Sequence, residues 1–385
     1  MSNVRRKIVI KIKISQLIIS IAIITLSILI YLYDQQVLCR TATPLRYIFD
    51  IGLFTFTSIP TYVMLKYALS PRHKEQIQAI HLTGEIIKAI PLINALFLLN
   101  TLRLDIPAIG ALETNMITQG LEALPFYTLH LLACLANGLM LFIALTGSTR
   151  VNVYDIFVYS VAFMALQTIA SIYGFHLAGL EGLRASLACL LIALPALYTY
   201  RVRKENARSI VLERDKELPL VLILSIATFF FYYFYALYDH YWDQAVMLAN
   251  VNSILYRGSL EPYYKACGYY PAVGGFYIAS FIYTTGLDNT ILASTLSFTV
   301  AYMLLPIVVY RLVRLLINNG SIALLATVIA IHMDGLGILS YPLYKHIIDY
   351  YLSRTSNVTY NWNAWYTLSF KLSPQTCSLY ASSIA

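Results

Sequence analysis

LYDHYWDQAVMLANVNSILYRGSLEPYYKACGYYP, residues 237–271, is the longest part of the chain that lipid would reject, and it stands between two runs that lipid would accept. Upstream, LPLVLILSIATFFFYYFYAL (218–237) carries no charge, and downstream PAVGGFYIASFIYTTG (271–286) carries none. Placed on a helix, residues 243–257 sort by side: Asp243, Asn250, Ser253 and Arg257 fall within a sector of roughly 80°, beside Met247, Leu248, Val251, Ile254 and Leu255. The pattern predicts an amphipathic helix lying along the membrane surface. Gly258 ends it, and Pro271 opens the next span, since proline is tolerated in a first helical turn.

Composition agrees. Of 385 residues 59% are hydrophobic and 12% charged, against about a quarter charged in a soluble domain. The fold expected is all-α, a polytopic integral membrane bundle whose partner is the lipid bilayer. The net charge of +8 sits in clusters beside apolar runs, where it orients spans, so nucleic acid is not the expected partner. Five scattered cysteines show neither a metal-ligand spacing nor a disulfide ladder.

At about 20 apolar residues per span, about ten transmembrane helices are predicted, at 14–33, 47–69, 83–102, 123–146, 152–174, 184–200, 218–238, 271–286, 289–310 and 321–340. The basic start MSNVRRKIVIKIK, PRHK at 71–74, Arg150 and RVRKENARSIVLERDKE at 201–217 place the N-terminus in the cytoplasm of a plasma-membrane protein and the loop after Tyr238 outside. Three parts are expected: an N-terminal block of six helices (1–200), a charged cytoplasmic linker (201–217) and a C-terminal membrane block (218–385) with outer loop 239–270. After Thr285 the alternation conflicts with itself. Either 271–286 is re-entrant, or Arg311 and Arg314 lie outside against the usual bias. The end of the chain, half apolar, reads as stopping short of further spans.

The C-terminal block, over about residues 218–316, resembles the GT-C superfamily of integral glycosyltransferases that use polyprenyl-phosphate sugars. There a span leads into an outer loop opening on an acidic pair, followed by a surface helix and a proline motif that starts the next span. Here FFFYYFYALY precedes DHYWDQ, AVMLANVNSILYRG supplies the helix, and GYYPAVGGFYIASFIYTTG returns. The acidic pair reads Asp243-Gln244 instead of Asp-Glu, and the His-Pro-Pro slot reads Tyr269-Tyr270-Pro271.

The resemblance implies transfer of a sugar from a polyprenyl-phosphate carrier to an acceptor hydroxyl on the outer face. The anomeric carbon gains positive charge while the hydroxyl loses its proton, which asks for one carboxylate base. Asp243 is the candidate. The departing phosphate asks for cations: Arg257 and Lys265 locally, with Arg311 and Arg314 if they lie outside. Asp239 and His240 are expected to position the acceptor, or Asp239 and Asp243 to hold a divalent cation, and Tyr270 to line the substrate site. Asp334, inside an apolar run, is a substrate-contact candidate because charge at membrane depth is costly. The rival expectation is a transporter or flippase with Glu85, Lys88, Asp155 and Asp334 along its path. Among other polar residues, Glu85 and Lys88 suit a local ion pair, Asn94 and Asn100 suit hydrogen bonds between helices, and the sequons at Asn319 and Asn357 suit outward loops.

Overall fold

The computed structural model describes residues 59–68, 78–103, 116–205, 209–238, 242–260, 273–296 and 299–332. They are helical apart from three short strands. In chain order they form α1 (59–68), β1 (Gln78–Leu82), α2 (Gly84–Ala89), α3 (Leu92–Arg103), α4 (Met116–Thr146), β2 (Arg150–Asn152), α5 (Val153–Lys204) and β3 (Ile210–Arg214). Then come α6 (Leu218–Tyr238), α7 (Trp242–Arg257), α8 (Val273–Thr285), α9 (Thr290–Leu296), α10 (Thr299–Ile317) and α11 (Gly320–His332). Four helical segments are long and apolar enough to cross a membrane: Gly84–Leu102, Thr118–Thr146, Val153–Lys204 and Thr290–Ile317. Their outward sides keep large apolar residues exposed, Leu99, Leu132, Leu177 and Leu316 among them. In a bundle facing lipid such a surface carries no cost.

The longest helix, α5, is a hairpin. Ala178 (φ −148°, ψ 30°) and Gly179 (φ 60°, ψ −141°) leave helical geometry and turn the chain back on itself. Gly179 takes a left-handed φ that a side chain would resist. Ser186 Oγ then donates to the Ala170 carbonyl at 2.7 Å, and Gly174 meets Gly182 across the pair. The contact is backbone on backbone: a Cβ at Gly182 would stand 2.0 Å from the Gly174 oxygen. Small residues permit such an approach where no water drives helices together. Each arm has about 25 residues and a length of about 37 Å, enough to cross a bilayer core.

The three strands gather at the end of the bundle where α5 begins. Their order is β1-β3-β2, with β1 antiparallel and β2 parallel to β3. The segment 201–217, expected as a linker between two blocks, thus supplies the central strand tying 78–82 to 150–152. The period of its apolar residues is too short to reveal a strand, and its charges face partners: Arg214 donates to Gln78 Oε1 at 2.7 and 3.0 Å, and Arg150 pairs with Glu213 at 3.2 Å. The two expected blocks share one core, since α8 and α10 both pack against α5.

From this sheet end α6 runs about 31 Å to the far end, and α7 follows there. Helix α8 decides the topology. Its 13 residues make about 20 Å, too little to cross, and every residue from Gly274 to Thr285 is buried. Its last turn meets the far-end tip of α3, where Asn100 Nδ2 donates to the Thr284 carbonyl at 3.0 Å. Its start lies against α7. Both ends of α8 therefore stay in the far half, the re-entrant arrangement, and α10 alone returns to the sheet end. There Tyr310 reaches Asp215 and Arg311 reaches Asp155. Asn319 follows at that same end, its Oδ1 accepting the Ile322 amide at 3.2 Å to cap α11, so this sequon lies with the charged cluster and not in a loop of the far end.

The hairpin generates a stability test. Gly182→Ala forces the two backbones apart and should cost about 1–3 kcal/mol, read as a lower melting midpoint of the purified protein in detergent; an unchanged midpoint would mean that the arms are not in contact.

Candidate functional site

Two polar clusters stand at opposite ends of the bundle. At the sheet end, Asn152 caps α5 by accepting the Tyr154 amide at 3.0 Å, which sets Tyr154 and Asp155 on its first turn. Arg311 grips Asp155 bidentately, Nε to Oδ1 at 2.7 Å and Nη2 to Oδ2 at 3.0 Å. Beside it Asp215 accepts three bonds: Tyr154 Oη at 2.7 Å, Tyr310 Oη at 3.1 Å and the Leu218 amide at 3.0 Å. Helices α5, α6 and α10 are thereby pinned through two carboxylates. Arg201 Nε donates to the Ala144 carbonyl at 3.2 Å and closes the end of α4. Glu217 is half-buried next to Asp215, and burial, then that neighbouring carboxylate, raises its pKa above the ordinary value.

At the far end, Arg184 on the second arm of α5 donates to the Thr101 carbonyl at 3.2 Å and the Leu102 carbonyl at 3.0 Å, capping α3, and pairs with Glu181 at 3.1 Å. Its guanidinium stands 5.8 Å from the centre of the Tyr283 ring. Thr290 Oγ1 donates to Asn252 Oδ1 at 3.3 Å, tying α9 to α7. Helix α7 is held on several sides: Asn250, Val251, Ser253, Ile254 and Leu255 are all buried, and Arg257 is exposed. The expected surface helix thus has Asn250 and Ser253 of its polar sector inside the protein, because α8 and α9 cover that sector. Between the ends lies a polar core. Asn94 and Asn137 exchange hydrogen bonds at 2.8 and 2.7 Å, and Ser171 meets Ser280 at 2.6 Å. His130 sits among aromatic rings, with Phe281 at 4.8 Å and Tyr277 at 6.3 Å between centroids.

The expected site residues divide. Asp239, His240, Lys265, Tyr270 and Asp334 lie outside the described residues, as do 1–58 and 333–385. Of Asp243 the backbone is described, in the first turn of α7. Arg257 lies at the other end of that helix. Arg311 and Arg314 belong elsewhere: both stand near the sheet end of α10, Arg311 on Asp155 and Arg314 close to Glu217, because α8 does not cross. The far-end cation that sequence reading missed is Arg184, three residues after Glu181 and between two apolar runs, and that charged pair was the available signal. Glu85 and Lys88 pair with each other at 3.2 Å on the surface, and Asp155 is engaged by Arg311. Among the described residues no three His, Cys, Asp or Glu side chains converge as metal ligands, and Cys134 and Cys189 are free thiols. No family model, curated protein or solved structure matches the chain.

Two outcomes test the sheet end. Removing one partner of the enclosed ion pair, as in Arg311→Met, should cost on the order of 3 kcal/mol, and adding Asp155→Leu should restore most of it; equal melting midpoints for Arg311→Met and the unaltered chain would show the pair to be idle. Because Glu217 binds its proton more tightly when folded, it should lower stability as pH rises from its unfolded value near 4.5 through its higher folded value. Glu217→Gln should therefore raise the midpoint at neutral pH and leave it unchanged at pH 4, in a melting series across that range.

Proposed function

We propose that the chain is an integral membrane glycosyltransferase of the GT-C kind, moving a sugar from a polyprenyl-phosphate carrier to an acceptor hydroxyl on the outer face of the plasma membrane. The observation that carries this reading is the seating of α7. The helix that starts at Trp242 and Asp243 is buried over its second half among α8, which enters the far end and does not cross, and α9, which opens the segment Thr290–Ile317. A surface helix serving only as a skirt would bury one side; this one is built into the end of the bundle. The basic residues support the orientation, since Arg150, Arg201, Arg203, Lys204, Arg214, Lys216, Arg311 and Arg314 all belong to the sheet end, and positive charge favours the cytoplasmic side. With the segments outside the described residues the chain makes about ten apolar segments, one of them re-entrant.

In the proposed mechanism the Asp243 carboxylate takes the proton of the acceptor hydroxyl as that oxygen attacks the anomeric carbon. The bond to the carrier phosphate breaks and the phosphate leaves with the electron pair. Arg257 and Lys265 stabilise its charge and Tyr270 and Asp334 contact the substrate, while Asp239 and His240 orient the acceptor or, in the alternative, Asp239 and Asp243 would hold a divalent cation.

Membranes containing the chain and a labelled polyprenyl-phosphate sugar should show transfer that Asp243→Asn lowers by about 100-fold or more. Equal turnover by both forms would end the proposal for Asp243.

A further inference from the structure

The contact between α7 and α8 holds a polar group with nothing to bind. Asn250 is 0% exposed, and neither its Nδ2 nor its Oδ1 has a hydrogen-bond partner. Burying an amide in that condition is costly, so a bundle that satisfies Asn94, Asn100 and Asn137 leaves this one unsatisfied at a loss. Its surroundings are specific. The carboxamide lies over Gly275, where a Cβ would stand 2.6 Å from Cγ, 2.7 Å from Oδ1 and 2.8 Å from Nδ2. Gly275 is the third residue of α8, after Val273 and Gly274. The amides of a first helical turn have no acceptor within the helix, and the helix dipole makes that end electropositive. Two glycines in succession bring no side chain of their own, which lets a phosphate approach backbone. The unpartnered carboxamide and the helix end thus face one spot.

We infer that the start of α8, with the backbone amides of Val273, Gly274 and Gly275 and the Asn250 carboxamide, is a binding site for a phosphate ester. The helix amides take the phosphate oxygens. Asn250 Nδ2 donates to one of them, and Oδ1 accepts from a hydroxyl of the esterified group. A carboxamide offers a donor and an acceptor side by side, and a sugar phosphate satisfies both, a phosphate oxygen taking the donor and a sugar hydroxyl the acceptor. Asn250 follows Asp243 by seven residues on α7, two turns or about 10 Å, so the site and the proposed base share one helix. The inference rests on the transferase reading for its choice of carrier, and the phosphate chemistry stands apart from it.

The test uses the full chain in phosphatidylcholine nanodiscs, with binding followed by native mass spectrometry and stability by thermal melting. One arm adds polyprenyl phosphate and polyprenyl-phosphate sugar to the bilayer; the other adds inorganic phosphate to the buffer. The unaltered chain should retain the lipid phosphates, the sugar form more tightly. Asn250→Asp, which brings a negative charge to the phosphate, and Asn250→Leu should each weaken retention by about ten-fold or more, the equivalent of one charge-assisted hydrogen bond. Asn250→Leu should also melt higher, because it removes an unsatisfied group. Retention of inorganic phosphate alone, lost in both variants, would assign the site to the free ion and separate it from the carrier. Retention unchanged by both variants, or a lower melting point for Asn250→Leu with binding intact, would overturn the site and make Asn250 structural. An Asp243→Asn form that neither loses turnover nor alters Asn250-dependent binding would sink the transferase reading and leave the phosphate site standing.

Discussion

A hydrogen-bonding group inside a lipid-facing bundle has to find its partner in the protein, because hydrocarbon offers none. The architecture follows from how each such group is answered. Asp215 takes two phenols and a backbone amide, and so fastens the starts of α5 and α6 to the end of α10. Asp155 and Arg311 satisfy each other through two bonds. Asn94 and Asn137 exchange bonds across α3 and α4, and Asn94 also reaches the Leu191 carbonyl on α5. Single atoms of His130 and Gln167 go unanswered, and Asn250 is the amide among the described residues with both of its polar atoms unanswered.

The two ends of the molecule differ in kind. The sheet end is closed: strands, an ion pair and capped helix termini occupy its polar groups, and its carboxylates are spent on holding helices. The far end is assembled from short pieces: α8 is wedged between α3, α4 and α5, and α7 and α9 pack on it and on each other. Short helices expose more termini per residue than long spans do, and each terminus brings amides or carbonyls that need a partner. A ligand with phosphate and hydroxyl groups is such a partner. The hairpin of α5 contributes by bringing Arg184 to that end, where it closes α3 and stands beside Tyr283.

Much of the fold was legible in the sequence. Among the described residues apolar runs located the long helices, Gly258 marked the end of α7 with φ 60°, and Asn94 and Asn100 were read as links between helices. The strands were not legible, because five residues such as IVLER carry too few apolar positions to show a period and their pairing joins segments about 60 and 130 residues apart. The place of Arg311 and Arg314 hung on whether 271–286 crosses, a question that hydropathy cannot answer for a fully buried helix, since burial in protein and burial in lipid select the same residues. For the site, the sequence located the helix bearing Asp243 and the polar sector containing Asn250. It could not tell that the sector faces protein, since the covering helices α8 and α9 come later in the chain and their docking is tertiary.

The central claim is that α7 and the Asp155–Asp215 cluster lie at opposite membrane faces, with α8 turning back between them. Single cysteines at Arg257 and Arg203, both exposed, introduced after replacing the five native cysteines, test it with a membrane-impermeant thiol reagent on intact cells. The account predicts labelling at position 257 from outside and labelling at position 203 only after the membrane is opened. Labelling of both from the same side would contradict it.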